Sequence, residues 1–196
     1  MPFTPLELAE TVDAIRSCRV CEEHLPLGPN PILQAGPDAK VVLVSQAPGR
    51  IAHVKSRAYQ DPSGRRLREW LGVTEDEFYE SGRFVIMPMG FCYPGKAGGG
   101  DAPPRPECAP LWHERLWSAL PKIELTVLIG SYAQRAYLGK RREKTLTATV
   151  RRYQTYLPTF LPIPHPSPLN NMWLRRNPWF EQEVVPNLQA RIAKLL

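Results

Sequence analysis

Short apolar runs alternate along this chain with segments whose apolar residues recur three and four positions apart, which predicts strands and helices in alternation. Residues 41–45 are apolar and β-branched, and they lead through Gln46-Ala47-Pro48-Gly49 into a loop rather than into the polar alternation of a hairpin. Residues 84–89, 125–130 and 160–164 repeat the pattern, so about four buried, mainly parallel strands are expected. Thr4-Pro5-Leu6-Glu7 combines a cap, a proline at the first helical position and a glutamate three residues after the cap, predicting a helix to about residue 17. Ser63 is expected to cap a helix that places Leu67, Trp70 and Leu71 on one face before Gly72 ends it, and Thr74 with Glu77 marks another start. Further helices are predicted near 107–120, 132–138, 146–156 and 178–195, the last bent or broken near Pro186. The fold class is α/β.

Composition narrows the function classes. The 196 residues suit one domain, and 25 basic against 19 acidic residues leave a net charge of +6, which favours an anionic partner, nucleic acid being the commonest. No stretch approaches the run of about 20 apolar residues that a membrane span needs, and Met1-Pro2-Phe3-Thr4 has no basic region leading into an apolar one. A cytoplasmic monomer with no membrane partner is expected. Seven of the 22 prolines lie between Pro88 and Pro121 and six between Pro158 and Pro178, each cluster following a predicted strand. Such loops stiffen the carboxyl edge of a parallel sheet, where ligands of open α/β folds sit. Gly98-Gly99-Gly100 is the one segment that reads as flexible.

The four cysteines invite a joint reading. Cys18 and Cys21 form a C-x2-C pair, while Cys92 and Cys108 stand 16 positions apart. A two-residue spacer lets the first pair chelate while the others arrive from loops, and zinc or a [4Fe-4S] cluster would satisfy such a set. Ordinary buried thiols remain the alternative. His24 is a further candidate ligand.

Together the motifs resemble the uracil-DNA glycosylase superfamily, nearest to the bacterial iron–sulfur branches called families four and five. Cys18-x2-Cys21, the strand Val41 to Val44, Ser45-Gln46-Ala47-Pro48-Gly49 and then Ala52-His53, Ser56-Arg57-Ala58-Tyr59 and Gly64 follow the frame of the family-four amino-terminal half. His165-Pro166-Ser167-Pro168-Leu169-Asn170-Asn171 resembles the second motif, which starts H-P-S. The resemblance implies a three-layer α/β/α domain over residues 1–196, a [4Fe-4S] cluster on Cys18, Cys21, Cys92 and Cys108, and excision of uracil or another deaminated base from DNA.

It also implies roles. Breaking an N-glycosidic bond puts positive charge on the sugar and negative charge on the departing base, so His165 is expected to donate a hydrogen bond to the base. Ala47 stands where the best-known enzymes carry Asp. Asp61-Pro62-Ser63-Gly64 resembles the D-x-S-G of family five, so Asp61 is the first candidate to hold the attacking water and His53 the second. Base binding is expected around Gln46 and Ala47, with stacking on Tyr59. Pro88 replaces the family-four asparagine that reads the uracil edge, so reading should pass to backbone groups of Met89 or Gly90, or the preferred base is not simply uracil. Leu169 is placed as an apolar wedge, and Ser167 and Asn170 beside it are expected to contact the DNA. Arg175, Arg176, Lys55, Arg57, Arg65, Arg66 and Arg68 are expected on phosphates. Ala47 and Pro88 also keep open a protein that binds damaged DNA without turnover, and the cysteines an iron–sulfur redox protein.

Overall fold

A computed structural model describes residues 4–196; the reading of Met1 to Phe3 lies outside the described residues. Helix α1 (Pro5–Arg16) leads to strand β1 (Val41–Val44), then to α2 (Arg50–Lys55), α3 (Pro62–Leu71), α4 (Glu75–Glu80) and β2 (Phe84–Ile86). A small hairpin, β3 (Lys96–Ala97) and β4 (Gly100–Asp101), precedes α5 (Cys108–Ala119), β5 (Leu125–Ile129), α6 (Gly130–Leu138) and α7 (Leu146–Arg151). Strand β6 (Phe160–Ile163), α8 (Asn171–Arg176) and α9 (Val185–Ile192) complete the chain.

The main sheet has the order β2-β1-β5-β6 and is parallel throughout, with Val41 opposite both Phe84 and Leu125, and Thr126 opposite Phe160. Its strands are apolar runs because both faces are covered. Val41, Leu43, Val127 and Ile129 point to a layer holding Leu67, Trp70 and Leu71 of α3 with Leu188 of α9. Val42, Val44 and Leu128 point the other way, to Leu8, Val12 and Ile15 of α1 and Leu116 of α5. That alternation is the three-layer α/β/α arrangement. The chain leaves β1 toward β2 on one side and later adds β5 on the other, so a crevice opens past the carboxyl end of β1.

Several local expectations change. Asp61, not Ser63, caps α3: it has extended φ −136° and ψ 178°, its Oδ1 accepts from the Gly64 N–H at 2.9 Å, and Pro62 fills the first turn where no N–H is needed. Ser63 is buried inside that turn. Gly98 and Gly99 form the turn of the β3–β4 hairpin, and Gly100 opens β4 opposite Ala97. Two short helices, α2 and α8, occupy segments that read as loops. The last helix begins as a π turn over Phe180–Val184, which places Pro186 in the first turn of α9.

Candidate active site

A cleft of about 540 Å³ lies past the carboxyl ends of β1, β2 and β6. The loop after β1 gives it Ser45, Gln46, Ala47, Pro48 and Gly49; the turn into α3 gives Tyr59, Asp61 and Ser63. Pro88 lies on another wall, and His165, Ser167, Leu169 and Asn170 arrive after β6. Lys96, Gly99, Gly100 and Asp101 of the hairpin close the remaining side.

Tyr59 sits in this wall with φ +58°, a left-handed conformation unusual for a side chain of its size. Gly64 permits it, because the Tyr59 backbone lies directly on the first turn of α3. The Arg68 guanidinium donates to the Tyr59 carbonyl at 3.2 Å, and the Tyr59 ring meets Phe78 edge-on at 6.1 Å. Its hydroxyl is buried without a hydrogen-bond partner, and burial pushes its pKa upward.

His165 is half-buried and its protonation state is set by its neighbours. The Ser167 N–H donates to Nδ1 at 3.2 Å, so Nδ1 accepts and the proton of the neutral ring resides on Nε2. Burial holds the imidazole below its ordinary range, while the charges of Asp61 and Asp101 oppose that shift. Asn170 Nδ2 donates to the His165 carbonyl at 2.7 Å, and Arg66 donates to the carbonyls of Pro166 and Ser167, both at 3.3 Å. A cleft with an oriented neutral imidazole donor, a carboxylate and an aromatic wall can stabilise a departing anion and position water.

The family model of the Uracil DNA glycosylase superfamily matches residues 33–189, a span that contains every residue lining the cleft. The chain belongs to the uracil DNA glycosylase superfamily. Membership gives the general class, a DNA glycosylase acting on DNA, and the parallel sheet agrees with it. Among the described residues, no helix is long and apolar enough to cross a membrane.

Not every expected residue of this superfamily member reaches the cleft. His53 is absent from its lining; its ring lies 6.1 Å from that of Tyr93, with Nδ1 buried and unpartnered. Met89 and Gly90 are absent too, and their N–H groups are committed to the carbonyls of Ser45 at 2.8 Å and Gln46 at 3.0 Å. Those two amides therefore hold the segment after β2 against the loop after β1. Gln46 spends its side chain on the Ala102 carbonyl, at 3.0 Å.

The basic residues divide as well. Arg57 pairs with Glu80 and stacks 3.8 Å from the Tyr79 centroid; Arg66 holds the His165 loop; Arg68 pairs with Glu75 at 3.2 Å. Lys55 and Arg65 line a groove of about 740 Å³ together with Arg68 and with Arg50, which the sequence reading passed over. This groove shares Asp61 with the cleft. Arg175 and Arg176 are exposed on α8, beyond the lining of either space. Leu169 stands on the cleft rim with 79% of its surface exposed.

A hydrogen-bond chain behind the cleft also escaped the sequence reading. His113 Nε2 donates to the Pro88 carbonyl at 3.0 Å, so Nδ1 accepts from the Tyr137 hydroxyl at 2.8 Å, and Trp117 Nε1 donates to that oxygen at 2.8 Å. Burial keeps His113 neutral by lowering its pKa. Tyr137 stands 24 positions from His113 and 20 from Trp117, so the sequence carries no common signal for the three.

The four cysteines are free and line one cavity with Arg105, Phe91 and Trp112. Cys92 and Cys108 lie within the family match and Cys18 and Cys21 before it. Burial pushes the thiols of Cys21 and Cys92 up and that of Cys108 to about 12. A cation would be needed to make them thiolates at neutral pH. The Phe91 N–H donates to Cys108 Sγ at 3.3 Å, a contact that a bound thiolate would strengthen. His24 is absent from this cavity. No group of three or more His, Cys, Asp or Glu side chains among the described residues is arranged to hold a single metal ion. The four thiols share one cavity and offer only sulfur donors, so by donor chemistry they suit a group bound through sulfur more than a single ion.

Proposed function

We propose that the protein hydrolyses the N-glycosidic bond of uracil or another deaminated base flipped out of DNA. The observation that carries this reading is the neutral His165, held as an Nε2–H donor by the Ser167 N–H in the same cleft as Asp61 and Tyr59. His165 donates to the base carbonyl as negative charge develops there, an electrostatic contribution of about 3 kcal/mol. Tyr59 stacks on the extruded base, Asp61 accepts a hydrogen bond from the attacking water, and Leu169 fills the gap left in the duplex. Lys55 and Arg65 in the adjoining groove bind phosphates, and Arg175 and Arg176 extend that contact.

Incubation with single-stranded and duplex oligonucleotides carrying uracil, hypoxanthine or xanthine should yield abasic sites with one of these bases released. Binding without release would support the second reading, a damage-sensing protein. That reading is favoured by Ala47 and by the Pro88 wall, whose carbonyl is taken by His113.

Asp61 needs a test that separates cap from catalyst. Asparagine caps as well as aspartate but carries no charge, so Asp61→Asn should preserve the melting temperature while slowing single-turnover excision by about 100-fold. Asp61→Ala should lose both the rate and about 1 kcal/mol of stability. Wild-type excision by the Asn variant would reduce Asp61 to a cap.

We assign Cys18, Cys21, Cys92 and Cys108 to a [4Fe-4S] cluster, which when bound ties the N-terminal segment to the loops behind Gly90 and leaves the chemistry to the cleft. Zinc is the competing occupant of the same thiols. An anaerobic preparation should contain about four iron and four sulfide per chain. Stoichiometric zinc without sulfide would replace this assignment.

A further inference from the structure

Asp101 belongs to neither sequence motif, yet the hairpin carries it into the base cleft. Lys96 and Asp101 are register partners across β3 and β4, and Lys96 Nζ lies 3.1 Å from Asp101 Oδ1. The other carboxylate oxygen, Oδ2, would stand 3.3 Å from a Cβ placed on Gly49. The carboxylate therefore abuts the Ala47-Pro48-Gly49 loop, where the chain itself offers no acidic side chain. The hairpin is anchored there: Gln46 Nε2 donates to the Ala102 carbonyl at 3.0 Å, and the Ala102 N–H to the Gly95 carbonyl at 2.9 Å. With 35% of its side chain exposed, Asp101 is open to water. Its charge reaches the His165 ring, as does that of Asp61.

Resting on the glycosylase reading, we infer that Asp101 is a second catalytic carboxylate, the one that takes the proton of the attacking water while Asp61 holds that water in place. Asp61 is tied through Oδ1 to the first turn of α3, which suits orientation. Asp101 reaches the cleft from a separate element and is not tied into a helix. As the C1′–N bond breaks, its electron pair leaves on the base. The water oxygen bonds to C1′, one water proton passes to Asp101, and that proton then moves to the departing base anion or to solvent, restoring the carboxylate.

The test compares Asp101→Asn, Lys96→Met and the wild type in single-turnover release of uracil from a labelled oligonucleotide, with binding measured by fluorescence anisotropy. Asparagine can still accept from Lys96, whereas methionine removes the ion pair and leaves the carboxylate. Asp101→Asn should slow release by about 100-fold or more with Kd within about threefold, and Lys96→Met should slow it by less than about tenfold. Equal slowing in the two variants would make Asp101 a hairpin tie and overturn the inference. Asp101→Asn at wild-type rate, with wild type releasing uracil, would overturn it while leaving the glycosylase reading intact. Failure of wild type to release uracil, hypoxanthine or xanthine from matched oligonucleotides would overturn both.

Discussion

Gly64→Ala should melt at least about 6 °C below the wild type and release no detectable base. A Cβ at this position would overlap the Tyr59 carbonyl oxygen and stand 2.7 Å from Tyr59 Cβ. Relief would require moving backbone that is held from several sides. The Tyr59 carbonyl accepts from Arg68, the Gly64 N–H is bonded to the Asp61 cap, and Leu67 and Leu71 fix the same helix in the core. Overpacking against a flexible side chain costs about 1–3 kcal/mol, and a backbone obstacle belongs at or above the upper end. For a chain of this size, about 3 kcal/mol corresponds to about 6–12 °C in melting temperature. The functional loss should be larger than the thermal one, because any retreat of Tyr59 moves the stacking wall and the Asp61 carboxylate together. Differential scanning calorimetry with a parallel excision assay checks both. A variant melting within about 2 °C of the wild type would show that the turn yields easily and that the left-handed Tyr59 is not required.

The reach of sequence reasoning follows from what each feature depends on. Strands buried on both faces announce themselves as apolar runs, so residues 41–45 and 125–130 were legible, and the crevice followed from their parallel order. The second motif was legible because its elements are consecutive: Ser167 lies two residues after His165, and the hydrogen bond that sets the tautomer is local. Asp61 was legible as a residue but its cap was assigned to Ser63, because either could end the turn and only the extended backbone of Asp61 decides. Long-range partners left no trace. Asp101 enters the site from a glycine-rich segment that looked flexible, and its meeting with Gly49 depends on a hairpin and a Gln46 contact 56 positions away. The partners of Arg57, Arg66 and Arg68 within the fold were hidden for the same reason, since charge is visible in sequence while the groups that pair with it are not.

His165 gives the second large effect, and its pH dependence tests more than its presence. His165→Ala should lower single-turnover excision by about 100–1,000-fold with DNA affinity little changed, because the donor acts mainly when charge accumulates on the base. Burial holds the folded imidazole below its usual pKa of about 6.5, so the ring stays neutral at and somewhat below that pH. The His165 limb of the wild-type rate should therefore lie below about pH 6.5, where Nδ1 gains a proton and faces the Ser167 N–H donor to donor. Asp61 and Asp101 both favour that protonation, so Asp61→Asn or Asp101→Asn should move the His165 limb of the residual rate to lower pH. The stability sign agrees. A histidine whose folded pKa is depressed leaves the unfolded chain binding more protons, so its contribution is complete above about pH 6.5 and is lost as pH falls toward the folded value. Burial-depressed His113 adds in the same direction, which makes His165→Ala, with His113 intact, a variant whose acid destabilisation is reduced rather than abolished.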